Sequence, residues 1–185
     1  MGGEFAKIYK TDLSDRALMR FWATVQASGR DRAVTYCMPP VDGPAFCRWM
    51  REDGVHPWMV FFRGSPCGFY YLTDVQGKSA RVHFCTLPMG TARTANKLPA
   101  VVGFGLFSLG SLLWERNVSG SFRLDTILGV TPVCNREAVK FIHRVGAQDI
   151  GVAPGACWYY DTGENVPGLV TVYTRETLPE WTAKL

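Results

Sequence analysis

The chain has 185 residues, 47% of them apolar, and a net charge of +4. That length and apolar content suit a single domain with a sizeable core. The positive charge is mild and scattered, with no Lys/Arg run, which argues against nucleic-acid binding, and six cysteines without a CxxC pair argue against a metal site.

The opening "MGGEFAKIYKTDLSD" is polar and charged rather than a cleavable signal. Ala6 stands where an N-myristoylation signal carries Ser or Thr, so no lipid anchor is expected. Cys37, Cys47, Cys67, Cys85, Cys134 and Cys157 therefore read as reduced thiols of a cytoplasmic protein, most of them buried. "FAKIYKT" reads as a short first strand. In "TDLSDRALMRFWATVQAS" the capping residues come first, and Leu18, Phe21, Trp22 and Val25 then recur at helical spacing. "DGPAFCRWMRED" predicts a second helix, with Pro44 in its first turn. A meander follows: "PWMVFF", the turn "RGSPCG", "FYYLTD", the turn "VQGK", then "SARVHFCTL".

"LPAVVGFGLFSLGSLLW", residues 98–114, carries no charge and sits at the short edge of a membrane span. Its Gly103, Gly105, Gly110, Ser108 and Ser111 fit better a helix buried on nearly all sides of a layered fold. "FRLDTILGV" reads as a strand and "NREAVKFIHRV" as a helix with Gly146 near its C-cap. "ACWYYD" and "LVTVYTRE", joined by "TGENVPG", close the chain as a hairpin. A strand–helix–strand unit inside a meander requires a parallel pair within an otherwise antiparallel sheet. The expected class is α/β: one domain over 1–185, a mixed, mostly antiparallel sheet with a central parallel strand pair, and helices on both faces.

This order of elements resembles the GNAT superfamily of N-acetyltransferases. The resemblance is carried locally by that family's closing motif, N-x-x-A-x-x-x-Y-x-x-x-G-F. Asn135, Ala138 and Gly146 match it, while Ile142 replaces the tyrosine and Ala147 the phenylalanine. The resemblance implies acetyl-CoA as acyl donor, an amine of a small molecule or protein as acceptor, and no nucleic acid or membrane partner; it leaves room for a homodimer. It also implies that the parallel strands splay and that the pantetheine arm pairs with their open edges, past Cys85 and Leu87 on one side and Asn135 and Ala138 on the other. Asn135 has a second reading as a plain helix N-cap.

The family's pyrophosphate loop, Q/R-x-x-G-x-G/A, falls on Thr91, Ala92, Arg93, Thr94, Ala95 and Asn96, without its glycines or leading Gln/Arg. Arg93 and Lys97 supply charge there and Thr91 and Thr94 hydroxyls; the bland reading makes the two cations solvated loop residues. Pro99 suits a first helical turn, so the helix is expected to start near Asn96. Acyl transfer needs a base for the amine, and His83, mid-strand on the same face as Cys85, is the candidate. Cys85 as a nucleophile is the lesser reading. Ile142 cannot serve as the acid that protonates the leaving thiolate. His143 lies about 100° around the helix from it and faces elsewhere. Tyr159, Tyr160 and Tyr173 all lie on the last hairpin, and spacing does not choose among them. Trp58 or Tyr70 is expected to line the acceptor pocket. The rival to an enzyme is a non-catalytic scaffold or assembly protein on the same fold.

Overall fold

The computed structural model describes residues 3–185; the first two residues of the stretch read for a leader and a lipid anchor lie outside them. Seven strands form one sheet: β1 (Phe5–Tyr9), β2 (His56–Phe62), β3 (Ser65–Gln76), β4 (Ser79–Thr86), β5 (Thr126–Pro132), β6 (Gln148–Tyr159) and β7 (Glu164–Tyr173), in the order β1-β2-β3-β4-β5-β7-β6. Only β4 and β5 run parallel. The helices are α1 (Asp15–Ala27), α2 (Asp31–Val34), α3 (Gly43–Arg51), α4 (Ala100–Leu113) and α5 (Arg136–Arg144). The expected class and order hold, with boundaries shifted.

Helices cover both faces. On one, α1 presents Leu18, Phe21, Trp22 and Val25 to Met59, Phe69 and Tyr71 of the sheet. Its N-cap is Ser14, whose side chain accepts from Ala17 N–H at 3.2 Å. The α3 N-cap Asp42 accepts from Ala45 N–H at 2.7 Å. The two helices meet through Trp22 and Phe46, stacked with centroids 4.4 Å apart. Burying Phe46 contributes about 2 kcal/mol and the ring pair about 1 kcal/mol more. On the other face α4 packs over Val60, Tyr70, Leu72 and Val82.

The residue 98–114 segment is that helix. Its 14 residues span about 21 Å at 1.5 Å per residue, well short of a bilayer core. Among the described residues, no helix is long and apolar enough to cross a membrane. Its glycines mark close approaches. A Cβ on Gly103 would lie 2.7 Å from Thr94 Cγ2, and one on Gly105 2.6 Å from Val145 Cγ1. The second contact seats α5 beside α4.

Several boundaries differ from expectation, and one short helix is added. α4 begins at Ala100 rather than near Asn96, because residues 91–98 fold into a tight turn in which Lys97 has φ +62° and Arg93 bridges Pro99. The turn between β2 and β3 shrinks to Arg63 and Gly64, both at positive φ, so β3 starts at Ser65. The one-turn helix α2 was not expected; four residues give no periodic stripe to read. β6 begins at Gln148, well before Ala156, since a register irregularity between Ala153 and Cys157 breaks the alternation in its sequence.

Candidate functional site

β4 and β5 pair through only three residues, Ser79↔Thr126, Ala80↔Ile127 and Arg81↔Leu128. Beyond that joint each strand follows its outer neighbour. β3 holds β4 as far as Thr86, and β7 holds β5 as far as Pro132. The facing edges of residues 82–86 and 129–132 therefore have no ladder partner in each other, which leaves backbone donors and acceptors open to a ligand. The gap opens into a cavity of about 480 Å³. Val82 to Thr86 form one wall and Gly129 to Pro132 the other. Asn135, Ala138, Phe141 and Ile142 of the α5 end close one side, and Arg30, Tyr36 and Tyr71 the opposite one.

His83, Cys85, Asn135 and Ala138 all border this cavity. The side-chain oxygen of Asn135 accepts from Ala138 N–H at 3.1 Å, so the cap is made. Its Nδ2 has no hydrogen-bond partner among the described residues. His83 stacks on Tyr71, centroids 4.5 Å apart and 6° from parallel, and its Nε2 lies 3.1 Å from Thr73 Oγ1. Burial holds its imidazolium at a pKa of about 4, with Arg81 adding to the shift, so the ring is neutral at pH 7. Cys85 is 3% exposed and burial pushes its thiol up to about 12, far from a reactive thiolate.

Leu87 and Thr91 to Asn96 lie outside the cavity lining. Leu87 is buried among α1, α3 and the sheet. Thr94 is also buried, with its hydroxyl accepting from Leu98 N–H at 3.1 Å. Arg93 donates to Lys97 O at 2.8 Å, and the Glu4 carboxylate, paired with Arg63, accepts from Ala95 N–H. That hydrogen bond is the main cause holding Glu4 below the ordinary carboxylate range. At the start of α4, Ala100 N–H donates to Ala92 O at 2.8 Å. The chain thus engages with its own groups the Arg93 guanidinium, the Thr94 oxygen and the Ala95 and Ala100 amides. The α4 residues that reach the cavity are Val101 and Val102.

Sequence reading missed other members of the lining. Lys140 and Arg144, four apart on α5, bring cationic side chains to the cavity. Lys140 pairs with Glu137 at 2.9 Å; Arg144 has no ion-pair partner among the described residues. Their i, i+4 spacing was a legible signal. Among the hairpin tyrosines only Tyr173 lines the cavity. It is 1% exposed, and its hydroxyl and that of neighbouring Thr171 are buried without hydrogen-bond partners. Burial raises the Tyr173 phenol above its ordinary pKa, so it stays protonated. Gly129 sits opposite Thr171, where a Cβ would come 2.9 Å from the Thr171 hydroxyl. Tyr159 instead packs on Tyr36 at 5.1 Å, and Tyr160 is exposed. His143 faces solvent and pairs with Asp149 at 2.8 Å. Tyr70 is wholly buried and Trp58 lines a different cavity, so neither belongs to this one.

No protein-family model and no curated protein matches the sequence. Solved structures do match. One is the spermidine N-acetyltransferase from Vibrio cholerae in complex with CoA and spermine, at TM-score 0.63 and 13% identity, covering 95% of this chain and 98% of that one. Another is the microcin C7 self-immunity acetyltransferase in complex with acetyl-CoA and AMP, at TM-score 0.64 and 11% identity, covering 92% of each chain. A third is the N-acetyltransferase PseH from Campylobacter jejuni in complex with acetyl coenzyme A, at TM-score 0.58 and 10% identity, covering 92% of this chain and 99% of that one. At these identities the likeness is one of architecture, and with the three-residue joint and the splayed strands it establishes that this chain has the GNAT-like fold.

Proposed function

We propose that the protein is an acetyl-CoA-dependent N-acetyltransferase. The single observation that carries this reading is the gap between β4 and β5, a preformed slot with two open strand edges. An extended pantetheine arm offers amide donors and acceptors that match such edges as a peptide strand would. Asn135 contributes its free Nδ2 to the arm, and Ala138 leaves room beside it. Lys140 and Arg144 supply the charge for the pyrophosphate, because the 91–96 loop is closed on Glu4 and Ala92.

In the transfer, the acceptor nitrogen attacks the thioester carbonyl carbon and the tetrahedral intermediate collapses with loss of the C–S bond. A backbone N–H on the open edge of β4 between Val82 and Thr86 polarises the carbonyl oxygen. His83 is on the side opposite α5 and is unprotonated at neutral pH; it takes the amine proton directly or through water. Its low pKa makes it a weak base, so the amine's own ionisation sets the pH dependence. Tyr173, protonated and without an internal partner, gives the departing sulfur its proton in place of the tyrosine that Ile142 replaces. Direct attack suits a Cys85 thiol that stays protonated.

The closed 91–96 loop and Ile142 in place of the motif tyrosine favour the rival, a scaffold without catalysis. Calorimetric titration with acetyl-CoA separates the two. Micromolar binding, followed by thiol release on adding an amine from a panel that includes spermidine, is the expected result. No binding at millimolar acetyl-CoA would leave the scaffold reading.

A further inference from the structure

A second cavity, of about 720 Å³, shares no lining residue with the first. It lies on the α4 face of the sheet, between β1 to β3 and the segment 115–125 that leaves α4. The volume is within the range of small-molecule sites. Its sheet side carries Lys7, Tyr9, Trp58 and Leu72, and its loop side Glu115, Phe122 and Arg123.

The loop wall is held in place. Asn117 Oδ1 accepts from the N–H groups of Ser119 and Ser121 at 3.0 and 3.1 Å. The guanidinium carbons of Arg116 and Arg175 lie 3.9 and 4.0 Å from the Phe122 ring centroid, and Trp114 meets the same ring edge-on at 5.6 Å. A connector built this firmly presents a preformed surface rather than a solvated link.

The lining is unbalanced in charge. Lys7, Lys78 and Arg123 face the cavity against one acid, Glu115. Lys7 and Arg123 share that carboxylate, at 3.5 and 2.8 Å. Asp125 lies 3.8 Å from Lys78 but is held by Arg175 at 2.5 Å. His56 adds no charge at neutral pH, since burial lowers its pKa and its Nδ1 sits 3.1 Å from the Tyr9 hydroxyl. The Lys7 side chain is only 24% exposed and its ammonium is 5.7 Å from the Trp58 ring centroid. A cation this withdrawn from water with half a counterion is costly unless an anion arrives.

We propose that this cavity binds a small organic anion with a planar apolar body. Lys7 and Arg123 hold the anionic group, and the planar body lies against Trp58 and Tyr9. This site is independent of the transferase reading, and Glu115 competes with the ligand for the two cations.

Calorimetry with indole-3-acetate as the probe tests it, with indole-3-ethanol and tryptamine as neutral and cationic matches. Indole-3-acetate is expected to saturate one site, with both matches about tenfold weaker or worse. Lys7→Gln and Arg123→Gln should each weaken it about tenfold, and Glu115→Gln should tighten it. Acetyl-CoA affinity, measured on the same variants, should not change. Four outcomes overturn the proposal: equal binding of all three probes, preference for tryptamine, displacement of indole-3-acetate by acetyl-CoA, and no saturable binding at millimolar probe. A Glu115→Gln variant that binds more weakly would also overturn it, and that variant removes a charge without opening a hole in the core.

Discussion

Under the proposed function Asn135 carries two tasks on two different atoms, and substitution can separate them. Its Oδ1 caps α5 through Ala138 N–H, while its Nδ2 is free toward the cavity. Asn135→Ala removes both. Losing the cap costs about 1 kcal/mol, which in a chain of this length lowers Tm by about 3 °C. Losing one neutral donor to the pantetheine arm costs about 1 kcal/mol more, a roughly fivefold weaker acetyl-CoA affinity. Asn135→Ser keeps a capping oxygen and removes only the amide donor. Thermal melting and calorimetric titration on both variants read the two terms. Asn135→Ser should melt close to the parent and bind acetyl-CoA about fivefold more weakly, and Asn135→Ala should show both deficits. A serine variant that binds as tightly as the parent would refute the cofactor contact and leave Asn135 as a cap alone. An alanine variant with unchanged Tm would refute the capping argument.

Tyr173→Phe should lower turnover about 100-fold while leaving acetyl-CoA binding within about fivefold, and it should change Tm little, because the hydroxyl meets hydrogen-bond geometry with no described protein group and has only the Thr171 hydroxyl as a polar neighbour; unchanged turnover removes Tyr173 from the chemistry. Arg144→Ala should weaken acetyl-CoA binding about tenfold at low salt, with the difference shrinking as salt is added; equal affinity at every salt concentration would place the pyrophosphate elsewhere. His83 has a folded-state pKa of about 4 against 6.5 for the free side chain, so the unfolded chain binds its proton first as pH falls. The stability tied to its neutral form is therefore full above pH 6.5 and lost as pH falls toward 4, up to about 3 kcal/mol. Acidification from pH 7 to 4.5 should lower the Tm of the parent more than that of His83→Gln, and equal losses would contradict the burial argument.

The fold was legible because its signals are local and repeated. The stripe Leu18, Phe21, Trp22 and Val25 specifies one face of α1, and the uncharged 98–114 run specifies a helix buried on most sides. The β5–α5 junction was legible through Asn135, a residue type that caps helices well. The 91–96 loop was not. The resemblance gave a position for pyrophosphate, but Glu4, far away in sequence, satisfies Ala95 N–H, and no pattern within the loop announces that partner. Tyr173 was named only as one of three hairpin tyrosines, because its place in the cavity depends on β7 lying beside β5. Trp58 lies away from the strand gap for a related reason. Strand alternation gives the side of the sheet on which a ring lies but not which end of that side it occupies.

The three-pair joint between β4 and β5 also divides the sheet mechanically. β1 to β4 form one plate and β5 to β7 another, and little ladder hydrogen bonding crosses between them. The seam is spanned instead by side chains, among them Phe84 of β4 against Phe141 of α5 at 5.9 Å. Shear along that seam costs less than shear within either plate, so the plates are the natural units of slow opening. Amides along the open edges of 82–86 and 129–132 should exchange with solvent before those paired to β3 and β7. A strand-like guest in the slot would stitch the plates together and make the whole sheet exchange as one unit.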